Sequence, residues 1–186
     1  MHPERFQNAS PETVYEGKFL RFINKAGWEY VERNNCDGIV IILSQTEDQK
    51  IIFVEQYRPP VGRNVVEFPA GLINDERFES TDFKEETIIG AAEREFFEET
   101  GYKADHIKPV FQGPINSGIS SDMFTMVIAT GIQRVGPGGG DGNEVISVHT
   151  VPLPEVDYWL DQKSAEGCLI GPRIYAGLYL LKKYNN

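Results

Sequence analysis

The chain has 186 residues, 40% of them hydrophobic and 25% charged, which suits one globular domain with a real core and excludes a disordered or fibrous polymer. A formal net charge of -10 repels polyanions, so neither nucleic acid nor an anionic membrane is expected as the main partner. Two cysteines are too few for a disulfide framework, "MHPERFQNAS" does not read as an export signal, and no stretch reaches the about 18 apolar residues of a membrane span; a cytoplasmic protein is expected.

In chain order, the first half reads as short strands: "FLRFIN" (19 to 24), "WEYVER" (28 to 33), "GIVIIL" (38 to 43), "IIFVEQY" (51 to 57) and "VVEF" (65 to 68), broken by turn-forming segments such as "KAG" and "RPPVGRN". "IVIIL" is apolar at successive positions and predicts a strand covered on both faces; "WEYVER" alternates and predicts one wet face. Helices therefore cover a mixed sheet. From 86 to 100 the pattern turns helical, with a stripe of Ile88, Ile89, Ala92 and Phe96 and with Gly101 at the αL cap position. Strands are predicted at 107 to 112, 123 to 129 and 145 to 151, and helices at 154 to 163 and 171 to 183. "GPGGGDG" (136 to 142) reads as the most flexible loop.

Within the acidic helix, Glu95, Glu98 and Glu99 fall in one arc of about 100°, beside the apolar stripe. One reading is a solvated acidic face, since like charges at i,i+4 cost only about 0.2 to 0.5 kcal/mol per pair. The other is a site for hard divalent cations, which share their shell among carboxylates, waters and substrate phosphate oxygens. Arg94 either orients a carboxylate or carbonyl from behind or is a surface arginine.

The string "ETIIGAAEREFFEETGY", residues 86 to 102, resembles the main part of the Nudix box, the signature of hydrolases acting on nucleoside diphosphates linked to another moiety. The box normally opens with a glycine six positions before its first glutamate, where this chain has Ser80; the matching glycine is Gly71, fifteen before Glu86, so nine residues lengthen the preceding loop. That insertion leaves the register of 72 to 85 open, with Glu76, Glu79 and Glu85 in it. "EQYRPPVGRNVVEFPAGLI" (55 to 73), "WEYVER", "GDGNEVISV" (140 to 148) and "PRIYAGLYLLKK" (172 to 183) are similar to stretches of the ADP-ribose and ADP-sugar pyrophosphatases.

The resemblance implies a Nudix fold, an α/β/α sandwich around a mixed β-sheet, with residues 1–36 as N-terminal antiparallel strands exchanged in a homodimer and residues 37–186 as the hydrolase domain. It implies Mg²⁺ or Mn²⁺ on Glu95, Glu99, the carbonyl of Ala70 and Glu144, with Glu98 and Glu144 as catalytic groups and Asp141 as the alternative late carboxylate. Trp28 would stack on the base, Glu29 would accept from its amine, and Arg58 would contact phosphate. The implied reaction is cleavage of ADP-ribose or a related nucleoside diphosphate sugar to a nucleoside monophosphate and a sugar phosphate. ADP-ribose-preferring members tend to carry a Pro-Gly pair where this chain has Ser117 and Gly118, which keeps other diphosphate sugars open. The alternatives are a Nudix hydrolase of nucleoside triphosphates or capped RNA, and a non-catalytic sensor module.

Overall fold

In the computed structural model, which describes residues 3–75, 86–140 and 145–184, one helical turn, α1 (Glu4–Gln7), precedes an antiparallel sheet of β1 (Glu12–Glu16), β2 (Leu20–Lys25) and β3 (Trp28–Arg33). Ala26 and Gly27 both take positive φ, 52° and 82°, which is what a two-residue hairpin between β2 and β3 requires. β1 gives no signal in the sequence because all five of its residues are exposed. The sheet is joined to the body through Val31, whose N–H donates to the Ile119 carbonyl (2.9 Å) and whose carbonyl accepts from the Ser121 N–H (3.1 Å).

The body contains β4 (Gly38–Ser44), β5 (Lys50–Arg58), β6 (Arg63–Glu67), β7 (Ala70–Ile73), α2 (Ile88–Thr100), β8 (Tyr102–Lys103), β9 (His106–Pro114), β10 (Met123–Thr130), β11 (Gln133–Arg134), β12 (Ile146–Pro152), α3 (Val156–Ala165), β13 (Leu169–Ile170) and α4 (Arg173–Tyr184). Two four-stranded sheets result, ordered β7-β4-β10-β9 and β12-β5-β6-β13. β10 runs parallel to β4 and β13 parallel to β6, while the other pairs are antiparallel, so both sheets are mixed as expected.

Alternate residues of β4 feed two cores. Ile39, Ile41 and Leu43 pack with Val156 and Leu160 of α3 and Ile174 and Leu181 of α4, whereas Val40 and Ile42 pack with Ala91, Ala92 and Phe96 of α2. This double coverage is why the strand is apolar throughout. α2 begins two residues later than predicted, with Thr87 capping it by accepting from the Gly90 N–H (3.0 Å). Gly101 ends it in the left-handed region, φ 75°. The buried stripe is Ala91, Ala92 and Phe96, with Ile88 partly buried beside them; Ile89, one residue off that face, is exposed.

Candidate active site

β6 and β7 are separated only by Phe68 and Pro69, and β7 pairs with β4, which fixes Ala70 to Ile73 alongside α2. The contact is close. A Cβ on Gly71 would overlap Cγ, Cδ and Oε1 of Glu95, so only glycine lets the strand and the helix approach this far. Next to it, the Ala70 N–H donates to Glu99 Oε2 at 2.9 Å, and Glu99 is 3% exposed.

Arg94 organises the carboxylates. Its Nε donates to Glu86 Oε1 (3.0 Å), one terminal nitrogen to Glu95 Oε1 (2.8 Å) and Glu98 Oε2 (3.4 Å), and the other to the Leu72 carbonyl (3.0 Å), Glu86 Oε2 (3.2 Å) and Asp75 Oδ1 (3.4 Å). Burial alone would lower the guanidinium's pKa, but Glu86, Glu95 and Asp75 outweigh it and hold the charge more firmly than usual. The reading of Arg94 as a surface arginine is therefore corrected: the planar fork serves several acceptors that a point charge could not.

The solvated-face reading of the helix is corrected as well. Glu99 is buried, the Glu95 side chain is 12% exposed, and only Glu98 is substantially wet. Burial pushes the Glu95 carboxyl up to about 7, against the pull of Arg94, with Asp75 and Glu98 adding repulsion. A carboxylate left so poorly compensated by the protein suits an additional cation, and the surrounding donors are hard oxygens of the kind Mg²⁺ and Mn²⁺ accept. The donor set therefore fits such an ion. Among the described residues no three His, Cys, Asp or Glu side chains converge into a complete ligand cluster; Arg94 and the Ala70 N–H engage oxygens of Glu95, Glu98 and Glu99.

Ala70, Glu95, Glu98, Glu99 and Arg58 line one cleft of about 890 Å³. Trp28 and Glu29 do not. Trp28 is half exposed beside a separate hollow of about 400 Å³ with Phe6, Tyr30 and Ser117; its ring meets Phe6 edge-on at 6.2 Å and its Nε1 donates to the Gly118 carbonyl (3.2 Å). Glu29 is exposed on β3 opposite Asn24. Glu144 and Asp141, like Glu76, Glu79 and Glu85, lie outside the described residues.

The glycine-rich segment is less free than its composition suggests. Gly136 N–H donates to the Gly101 carbonyl, Gly139 N–H to Glu99 and Gly140 N–H to Glu98, which pins residues 136 to 140 onto the end of α2. The insertion is closed at its stem by Asn74 and Glu86: Asn74 N–H donates to Glu86 Oε2 (3.1 Å), Glu86 N–H donates to Asn74 Oδ1 (2.6 Å), and the Asn74 amide also bonds Asp37. Sequence reasoning missed Glu67, Arg173 and Asp75 in the cleft wall. Glu67 stands directly before "FPAG" and could have been found there; Asp75 falls inside the stretch whose register the insertion obscures.

The Nudix domain profile matches residues 35–167. The chain belongs to the Nudix family. An ADP-sugar pyrophosphatase of Mus musculus is 31% identical over 208 aligned residues, covering 99% of this chain and 91% of that protein. An ADP-ribose pyrophosphatase of Bacillus subtilis (strain 168) is 33% identical over 50% of this chain and 45% of its own length. A solved ADP compounds hydrolase superimposes with a TM-score of 0.67 at 19% identity, covering 98% of this chain and 96% of that one, which is likeness of fold. The expected Nudix pyrophosphohydrolase reading holds on family, fold and relatives together.

Proposed function

We propose that this Nudix protein hydrolyses the pyrophosphate bond of ADP-ribose or a related nucleoside diphosphate sugar, releasing a nucleoside monophosphate and a sugar phosphate. The observation that carries the reading is a single cleft lined both by the carboxylates Glu95, Glu98 and Glu99 with Ala70 and by the guanidinium of Arg58. A polyanion with a hydrolysable bond is what such a cleft suits once a cation is shared with the carboxylates.

Glu95, Glu99, the Ala70 carbonyl and Glu144 would hold Mg²⁺ or Mn²⁺, whose Lewis acidity offsets the diphosphate charge. Arg94 keeps Glu95 and Glu98 in place, and the Ala70 N–H does the same for Glu99. Glu144 takes the proton of the attacking water, with Glu98 as the second catalytic carboxylate. Arg58 orients the phosphates. Trp28 and Glu29 recognise the base in the site of a partner subunit, through a homodimer in which residues 1–36 are exchanged while 37–186 form the hydrolase domain. Neither residue lines the cleft of its own chain, and Trp28 stands at a separate hollow, which supports that arrangement. The setting is cytoplasmic; among the described residues no helix is long and apolar enough to cross a membrane.

The test is product analysis with ADP-ribose, ADP-glucose and other diphosphate sugars in the presence of Mg²⁺ or Mn²⁺. Turnover of at least one is expected, and Glu99→Gln should abolish it. Failure of every substrate would overturn the assignment, and a fully active Glu99→Gln would remove Glu99 from the metal set.

A further inference from the structure

In the lining of the same cleft, Glu67 is held between two guanidiniums. Arg58, at the end of β5, donates to its Oε2 from Nε (2.9 Å) and from a terminal nitrogen (2.8 Å). Arg173, the first residue of α4, reaches its Oε1 with one terminal nitrogen at 3.2 Å. All three side chains line the cleft, and Glu67 is the least exposed of them at 16%. Two cations on one anion leave a net positive charge in the cleft that Glu95, Glu98 and Glu99 also line, in a chain whose total is -10.

The two arginines are spent unequally. Arg58 commits the Nε edge of its fork to Glu67, whereas Arg173 commits one terminal nitrogen, and a guanidinium has five N–H donors. Arg173 also stands where the helix dipole disfavours a cation, at the start of a helix with no acidic residue in its first turn. A staple for α4 would not need a cation there, since a partly exposed ion pair contributes little. The local backbone favours the arrangement: Gly171 N–H donates to the Val66 carbonyl (2.9 Å), and a Cβ on Gly171 would press on the Glu67 side chain.

We propose that Arg173 is a second phosphate-binding residue of the cleft, and that Glu67 is a positioning residue that aims Arg173 and Arg58 together at a diphosphate. The inference rests on the diphosphate reading of the cleft. Arg173 supplies the larger share of available donors to the phosphate oxygens, and Glu67 fixes the spacing of the two cations while cancelling part of their mutual repulsion.

The experiment measures two things on the intact chain: calorimetric affinity for inorganic pyrophosphate with Mg²⁺, and KM and kcat for ADP-ribose. Arg173→Ala should weaken pyrophosphate binding by about 10- to 100-fold, the loss expected for charge-assisted bonds. Arg173→Lys, which keeps the charge and not the fork, should fall between wild type and Arg173→Ala. Glu67→Gln should raise KM more than it lowers kcat, and adding it to Arg173→Ala should cost less affinity than Glu67→Gln costs alone, because the part of its effect that passes through Arg173 is already lost while the part through Arg58 remains. Lys50→Ala removes a positive charge outside the cleft and should change nothing. Wild-type pyrophosphate affinity in both Arg173 variants would overturn the inference, as would losses from Arg173→Ala and Glu67→Gln that simply add. Should Arg173→Ala fail to fold, the Arg173→Lys comparison decides alone. A wild type that turns over no diphosphate sugar yet binds pyrophosphate through Arg173 would defeat the proposed function and leave this inference standing.

Discussion

Gly71→Ala separates activity from stability. The new methyl group would overlap Glu95 Cγ, Cδ and Oε1, and these atoms must retreat by more than about 1 Å to regain ordinary contact at about 3.5 to 4 Å. What moves is the far end of a flexible side chain, so the cost to folding is modest. An off-rotamer Glu95 costs about 0.5 to 1.5 kcal/mol. Weakening its 2.8 Å bond to Arg94 adds a similar amount, because Arg94 keeps Glu86, Glu98 and the Leu72 carbonyl. A total of about 1 to 3 kcal/mol corresponds to a fall in Tm of about 2 to 12 °C for a chain of this size. Catalysis should suffer far more, since displacing a reacting group by about 1 Å costs on the order of 100-fold. Differential scanning fluorimetry and kcat/KM for ADP-ribose, measured on the same preparation, test both halves. A Gly71→Ala protein with wild-type kcat/KM would refute the placement of Glu95 in the chemistry.

Metal binding should depend on pH through Glu95. Its carboxyl sits near 7 against an ordinary 4.5, so in metal-free protein this group makes stability fall as pH rises from 4.5 towards 7, and a cation must displace its proton below 7. Calorimetric Mg²⁺ affinity should drop by about tenfold per pH unit below 7 and level off above it; a flat profile would exclude Glu95 as a ligand. Glu55 behaves in the opposite sense. Burial would raise its carboxyl, but hydrogen bonds from Asn64, Lys163 and Cys168 prevail and hold it at about 2. Its contribution is complete above 4.5 and is lost as pH falls towards 2, so the urea midpoints of wild type and Glu55→Gln should converge over that window, and a constant gap would refute the linkage. Gly177→Ala puts a methyl group into Phe68 and Leu43, buried atoms with no room to yield, and should destabilise by about 1 to 3 kcal/mol in chemical denaturation.

The elements visible in the sequence are those whose pattern reports their burial. "GIVIIL" is apolar because two cores share it, and Gly101 marks the end of α2 because only a left-handed residue turns the chain there. β1 is fully exposed and β13 is two residues long, so neither leaves a periodicity to find. The candidate carboxylates were legible through the resemblance of residues 86 to 102 to the Nudix box, since their spacing alone left a solvated face open. Their support was not: the Leu72 carbonyl, the Ala70 N–H and the Gly71 contact act through backbone atoms, and Glu67 with Arg173 meet across 106 residues of chain.

The bonds between Asn74 and Glu86 bring the chain back to the point from which it departs. A lengthened span between these two residues is therefore held by a clasp that does not read its length, and extending such a closed span costs only about 0.6 kcal/mol per doubling. The position is a natural port: a peptide tag or reporter sequence spliced between Asp75 and Glu86 should leave Arg94 and its carboxylates where they are.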